Sequence, residues 1–186
     1  MPDDRALPRG IATLDASAPM RVHFDGACQP PNSAGVAGWG FVVEAPGVHY
    51  EDHGLATTPF SPHSTNNVAE YVGAIRALEH LHSTGFRGSV VVEGDSELLI
   101  RQMNGEYEVR AEHLKAYHER LKQLAAGFAK VEFRWVPREE NTVADALSKQ
   151  AVEEAWSDAR RHRPMRPTTP GPADELATDD RAETDR

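Results

Sequence analysis

The sequence predicts an α/β fold in which a mixed five-stranded sheet, three antiparallel strands followed by two further strands, is flanked by helices. Three observations carry that prediction. Proline–glycine punctuation cuts the first half into β-prone runs. The second half alternates apolar residues at helical spacing with short strand-like runs. The resulting order, βββ-α-β-α-α-β-α, suits helices packed in layers on one sheet.

Residues 21–27 are short, β-prone and end in the small pair Gly26-Ala27. Residues 28–35, with two prolines and a glycine, read as the loop that follows. Residues 38–45 and 48–56 are strand-like runs separated by Pro46-Gly47, a hairpin mark. From Thr65 to His82, Val68, Val72, Ile75, Leu78 and Leu81 recur at helical spacing, and Gly85 ends the pattern. Residues 89–94 form a continuous apolar run between glycines, as a strand covered on both faces would. Asp95 begins a short helix through Met103, closed by Asn104-Gly105. Leu114, Tyr117, Leu121, Leu124 and Phe128 mark another helix. Residues 130–136 alternate as a strand that Pro137 breaks, and Asn141 is the expected N-cap of a last helix to about Asp158.

The 186 residues suit one domain with tails. A flexible leader is expected over 1–20, the compact domain over 21–160, and an acidic, proline-rich tail over 161–186. That tail has too few large apolar groups to offset its ordering entropy, so disorder is expected there. A single cysteine excludes an internal disulfide and a cysteine-rich zinc cage. The nine histidines are scattered, with no HExxH pattern, and are expected mostly to face solvent. Trp39, Trp135 and Trp156 read as packing residues. No stretch approaches the roughly 18 apolar residues of a membrane span. The first ten residues lack the apolar centre of a signal peptide. A cytoplasmic monomer with no membrane partner and no obligate protein partner is the expectation.

The net charge of −9 argues against a nucleic-acid binder held by a broad basic surface, because such binding rests on phosphate neutralisation. It leaves open an enzyme that meets phosphates through divalent metals. Two readings of the acidity stand. A host with high internal salt gains little from a basic surface and gains solubility from an acidic one. Alternatively, weak substrate affinity suffices.

Four acids lie at strand ends or helix starts among small or polar neighbours: Asp25 before Gly26-Ala27, Glu70 after Asn66-Asn67, Asp95 before Ser96, and Asp145 after Asn141. Acids in a first helical turn commonly serve the cap or the dipole, which is an alternative for Glu70, Asp95 and Asp145. Asp25 resists that reading, because a charge following Val22 and Phe24 and preceding Gly-Ala points to close approach of something to the backbone.

The set Asp25-Gly26-Ala27, Asn66-Asn67-x-x-Glu70-Tyr71, Asp95-Ser96-x-Leu98 and Asn141-x-x-Ala144-Asp145-x-Leu147 resembles type 1 ribonuclease H. The resemblance covers about 21–158, in order, each motif on the matching element. Residues 103–110 run almost directly into the next helix, which resembles the compact archaeal and bacterial branch lacking the basic protrusion of longer members.

The resemblance implies a ribonuclease H-like fold and hydrolysis of the RNA strand of RNA–DNA hybrids, giving 5′-phosphate and 3′-hydroxyl ends, in primer and R-loop removal. It implies two Mg²⁺ ions with substrate bound, Mn²⁺ being a possible substitute, held by Asp25, Glu70, Asp95 and Asp145. Hard cations of this kind prefer carboxylate, water and phosphate oxygens. Asp25 would bridge both ions, Asp145 would serve the ion that activates water, and Glu70 and Asp95 the ion at the leaving oxygen. Arg138, seven residues before Asp145, stands where the compact branch has an arginine that steers phosphate or product, or it is a solvated loop residue. Cys28, Gln29, Asn66 and Asn67 match minor-groove contacts and Thr65 a DNA-phosphate contact. Asn66 and Asn67 are otherwise helix caps. Activity on double-stranded RNA, and a non-catalytic nucleic-acid-binding module, are the alternatives.

Overall fold

The computed structural model describes residues 19–31 and 34–161. The expected tail, beyond residue 161, and the expected leader, but for residues 19 and 20, lie outside the described residues.

Five strands form one sheet: β1 (Met20–Gln29), β2 (Val36–Ala45), β3 (Val48–Leu55), β4 (Ser89–Gly94) and β5 (Lys130–Trp135). Among the described residues four α-helices accompany them, α1 (Asn66–Ser83), α2 (Glu97–Met103), α3 (Glu112–Ala125) and α4 (Thr142–Arg161), with a single 3-10 turn at Arg138–Glu140 before the last. The strand order is β3-β2-β1-β4-β5. The first three strands pair antiparallel, as a hairpin meander must. β4 joins β1 in parallel, and β5 joins β4 in parallel, each return being made by helical chain. The predicted mixed sheet is what forms.

Three differences from the sequence reading bear on the site. β1 continues through Cys28 and Gln29, which pair with Ala37 and Val36, so the hairpin connection is shorter than the expected loop. The second helix starts at Glu97 with Ser96 as N-cap, leaving Asp95 in the turn before it. Thr65, not Asn66 or Asn67, caps α1: the Val68 N–H donates to its Oγ1 at 3.2 Å. Only a residue outside the helix can turn its side chain back onto the first free N–H groups, and both asparagines are already helical.

The core lies between one sheet face and α1 and α3. Val22, Phe24, Phe41, Val43, Val90 and Val92 meet Tyr71, Leu78, Leu81, Leu114 and Leu121 there. Alternation along β1 sends Met20, Val22 and Phe24 into this core and Asp25 to the other face. On that face α4 lies over β2, which is why residues 36–43 are buried without alternation. Among the described residues no helix is long and apolar enough to cross a membrane.

The aromatic and histidine expectations need correction. Trp39 packs, stacked on Phe41 with ring centroids 5.7 Å apart. Trp135 does not: it is 53% exposed on the edge strand, its indole N–H donating to the Asp95 carbonyl at 3.2 Å. His80 stacks on Tyr50 at 3.9 Å, and His82 meets the Phe128 ring edge-on at 4.5 Å. With His23, His53 and His118 they are half-buried, so five of the eight histidines in the described residues are partly withdrawn from solvent. Their periodicity is hidden because an imidazole counts as polar in a hydropathy pattern.

Candidate active site

The site is built where β1, β4, α1 and α4 converge. Gly26 is the reason α1 reaches it. A Cβ at Gly26 would stand 2.2 Å from the Glu70 backbone nitrogen, so the helix rests directly on the strand backbone. That contact sets Glu70 beside Asp25, and it is the close approach that the Asp-Gly-Ala sequence suggested. Gly40 does the same for α4: a Cβ there would lie 2.6 Å from the Ser148 nitrogen.

Asp25, Glu70 and Asp95 each place a carboxylate oxygen within 4.8 Å of the others'. Asp25 and Glu70 are buried, each with 5% exposure. Burial, with the neighbouring Asp95 and Asp145 charges adding to it, pushes the Asp25 carboxyl up to about 7, against a hydrogen bond from Ser148 that works the other way. Burial likewise pushes Glu70 well above its ordinary value, reinforced by Asp25 and Asp95. Glu70 Oε2 is buried without a hydrogen-bond partner, while Oε1 accepts from the Asn66 amide at 3.4 Å.

Asp145 lies in the first turn of α4, as expected, and lines the same cleft, but it stands outside this three-carboxylate group. Its two oxygens are taken by cations. Arg138 meets Oδ1 at 2.5 Å and Lys149 meets Oδ2 at 2.5 Å. Burial alone would raise Asp145, but Lys149 and Arg138 outweigh it and hold the carboxyl below the ordinary carboxylate range.

Two side chains tie the acids together, Ser148, which the sequence did not single out, and Asn141, which was expected only as a cap. Ser148, fully buried, donates to the Asp25 carboxylate from one turn beyond Asp145. Asn141 has its expected place before α4, its carbonyl accepting from the Asp145 N–H at 3.0 Å. Its side chain does not cap the helix. It turns inward, and the amide donates to the Phe24 carbonyl at 2.8 Å and reaches Asp95 Oδ1 at 3.5 Å. Asn141 thereby pins the start of α4 to the strand that carries Asp25.

The cleft, about 540 Å³, gathers Asp25, Glu70, Asp95, Asp145 and Arg138, and also Cys28, Gln29 and Asn66 from the expected substrate contacts. Thr65 and Asn67 are not among its lining residues. The Cys28 side chain is buried, its thiol bonded to the Ser64 carbonyl at 3.3 Å. Lys149 was legible in principle, because an acid and a lysine four residues apart share a helix face. Ser148 carried no such signal, since its partner lies on β1, 123 residues away in sequence.

The donor set fits divalent metal: three clustered carboxylates, two of them buried and destabilised as anions, one with an orphaned oxygen. Fold and site together define a ribonuclease H-like domain. The family model described as reverse transcriptase-like matches residues 23–151. Ribonuclease HI of Halobacterium salinarum is 31% identical over 160 residues, covering 82% of this chain and 77% of that protein. Its crystal structure, from 74% of this chain and 99% of its own, superposes with a TM-score of 0.65 at 30% identity. A bifunctional protein of Mycobacterium tuberculosis is 36% identical over 96 residues, 52% of this chain but 26% of its own length. The present chain thus spans about a quarter of the first relatives it matches. The solved N-terminal RNase H domain of the tuberculosis protein gives a TM-score of 0.68 at 31% identity, over 77% of this chain and 99% of that one. The chain belongs to the type 1 ribonuclease H family. Its passage from α2 to α3 takes only residues 104–111, as direct as the sequence suggested.

Proposed function

We propose that this protein is an endoribonuclease that hydrolyses the RNA strand of RNA–DNA hybrids with Mg²⁺, or Mn²⁺ in its place. The observation that carries the reading is the convergence of Asp25, Glu70 and Asp95 in one cleft with Asp145 at its wall. Family membership supports it, as does LC11-RNase H1. That protein, 32% identical with a TM-score of 0.65 over 74% of this chain and 99% of its own, was solved in complex with an RNA/DNA hybrid.

Asp25, Glu70, Asp95 and Asp145 would hold two ions once a scissile phosphate supplies the remaining oxygens. Bound metal supplies a water of lowered pKa and positive charge on the attacking and leaving oxygens. The chain's own residues do the rest. Ser148 fixes the orientation of Asp25 and favours its ionised form. Asn141 holds Asp95 and the first turn of α4 in register with β1. Arg138, 64% exposed at the cleft, is free to leave Asp145 for a phosphate. The N-terminus of α1, with Asn66 facing the cleft, offers backbone N–H groups to the nucleic-acid backbone. Selection for a hybrid would rest on shape and the 2′-hydroxyl, because the reaction is largely independent of sequence. The products are a 5′-phosphate and a 3′-hydroxyl.

The test is cleavage of end-labelled RNA annealed to DNA, with Mg²⁺ and then with excess chelator, beside Asp25→Asn protein and an all-DNA duplex. Cutting of the hybrid alone, lost with chelator and with the variant, is expected. Folded protein that cuts nothing in either metal, at low and high salt, would overturn the reading in favour of a binding module.

A further inference from the structure

Asp145 is the carboxylate outside the three-carboxylate group, and both of its oxygens already hold a cation. The cleft is otherwise rich in acids, with Glu97 and Glu153 among its lining residues, and Arg138 and Lys149 are the arginine and the lysine that line it. Both are spent on this one group. Arg138 belongs to the motif that family resemblance singled out; Lys149 does not. Its ammonium stands 2.5 Å from Oδ2 and so occupies an oxygen that a divalent cation would need, yet its side chain is 51% exposed at the cleft wall. A lysine on a flexible stem, half in solvent and facing a nucleic-acid cleft, can trade one anion for another at little cost.

We propose that Lys149 is an exchangeable counter-ion for Asp145: it holds the carboxylate in the free protein, and passes to a phosphate of the bound nucleic acid, releasing Asp145 to a divalent cation. Lys149 is thus a positioning residue that makes completion of the metal site depend on substrate. This rests on the ribonuclease reading. It also gives the acidic cleft a means of gaining a phosphate contact without carrying a standing positive patch. A plain i,i+4 helix pair, the alternative, would tie Lys149 to neither metal nor phosphate.

The experiment uses the full chain, stripped of metal. Mn²⁺ binding is measured without nucleic acid, and hybrid binding is measured in Ca²⁺ across a KCl series, for the wild type, Lys149→Gln and Lys149→Arg. Lys149→Gln should bind Mn²⁺ roughly threefold tighter or more, having lost a competing cation. That gain should vanish in an Asp145→Asn background, where there is no carboxylate to compete for. The same variant should bind hybrid more weakly, with a log–log salt slope shallower by about one, and Lys149→Arg should restore the slope. An unchanged Mn²⁺ affinity or an unchanged slope in Lys149→Gln overturns the exchange. Wild-type protein that neither binds nor cuts hybrid overturns the ribonuclease reading instead, which separates the two failures.

Discussion

Asp25 shows how much a single side chain is asked to tolerate. It is a carboxylate held in a buried site beside other carboxylates, with its folded pKa raised to about 7. Between its ordinary value and that one, the folded protein binds more protons than the unfolded chain, so this group's contribution to stability falls as pH rises through that window. In metal-free buffer, Asp25→Asn should therefore be the more stable protein by about 1–3 kcal/mol at pH 8, with the difference shrinking toward pH 4. Urea unfolding at several pH values measures it; a variant less stable than wild type at pH 8 would show that Ser148 outweighs burial and repulsion. Activity of the same variant should fall about a thousandfold or more. Asn141→Ala removes the donor to the buried Phe24 carbonyl and should cost about 1–3 kcal/mol, with a drop in cleavage, since the start of α4 loses its tie to β1. Denaturation and hybrid cleavage on one preparation test both halves.

At the scale of elements, two helices reach the site because two strands carry glycine where they cross. Gly26→Ala would drive a methyl group into the α1 backbone at Glu70, which no side-chain rotation relieves. We expect about 2–4 kcal/mol of destabilisation and loss of hybrid cleavage, as Glu70 is levered away from Asp25. Gly47→Ala is the control: that hairpin glycine has open space around it but a φ of +79°, so only the left-handed backbone cost of about 1–2 kcal/mol applies, with cleavage intact. Thermal melts of the pair decide it; equal losses would mean that α1 can shift to accommodate a methyl. Periodicity made these helices and strands legible, because one buried face repeats every 3.6 or 2 residues. It could not show that Asn141 turns inward or that Trp135 lies exposed, because neither follows from which face is buried.

For the whole molecule, the balance is between a core that is complete without metal and a carboxylate cluster that metal would stabilise. The core between the sheet and α1 and α3 is apolar and complete without the carboxylates. Removing metal should therefore leave the far-UV circular dichroism unchanged, while millimolar Mg²⁺ or Mn²⁺ at pH 7.5 should raise the melting temperature by a few degrees by binding the folded state. A chelator that unfolds the protein would contradict this. The net charge of −9 also sets the salt response. If the acidity reflects a high-salt setting, hybrid cleavage should persist as KCl rises toward molar concentrations; collapse above moderate salt would instead favour an ordinary host with weak but adequate substrate affinity.

Element order, the mixed sheet and the positions of the four acids are legible in the sequence, because hydropathic period, turn residues and motif spacing are local properties of the chain. Which of the acids meet is settled in three dimensions. Asp25, Glu70 and Asp95 cluster, while Asp145 is held by Arg138 and Lys149, and Ser148 and Asn141 bridge to β1. Those contacts join residues as many as 123 positions apart. Hydrogen bonds and ion pairs act over a few ångströms of space, and sequence spacing measures that distance only within a single helix or strand.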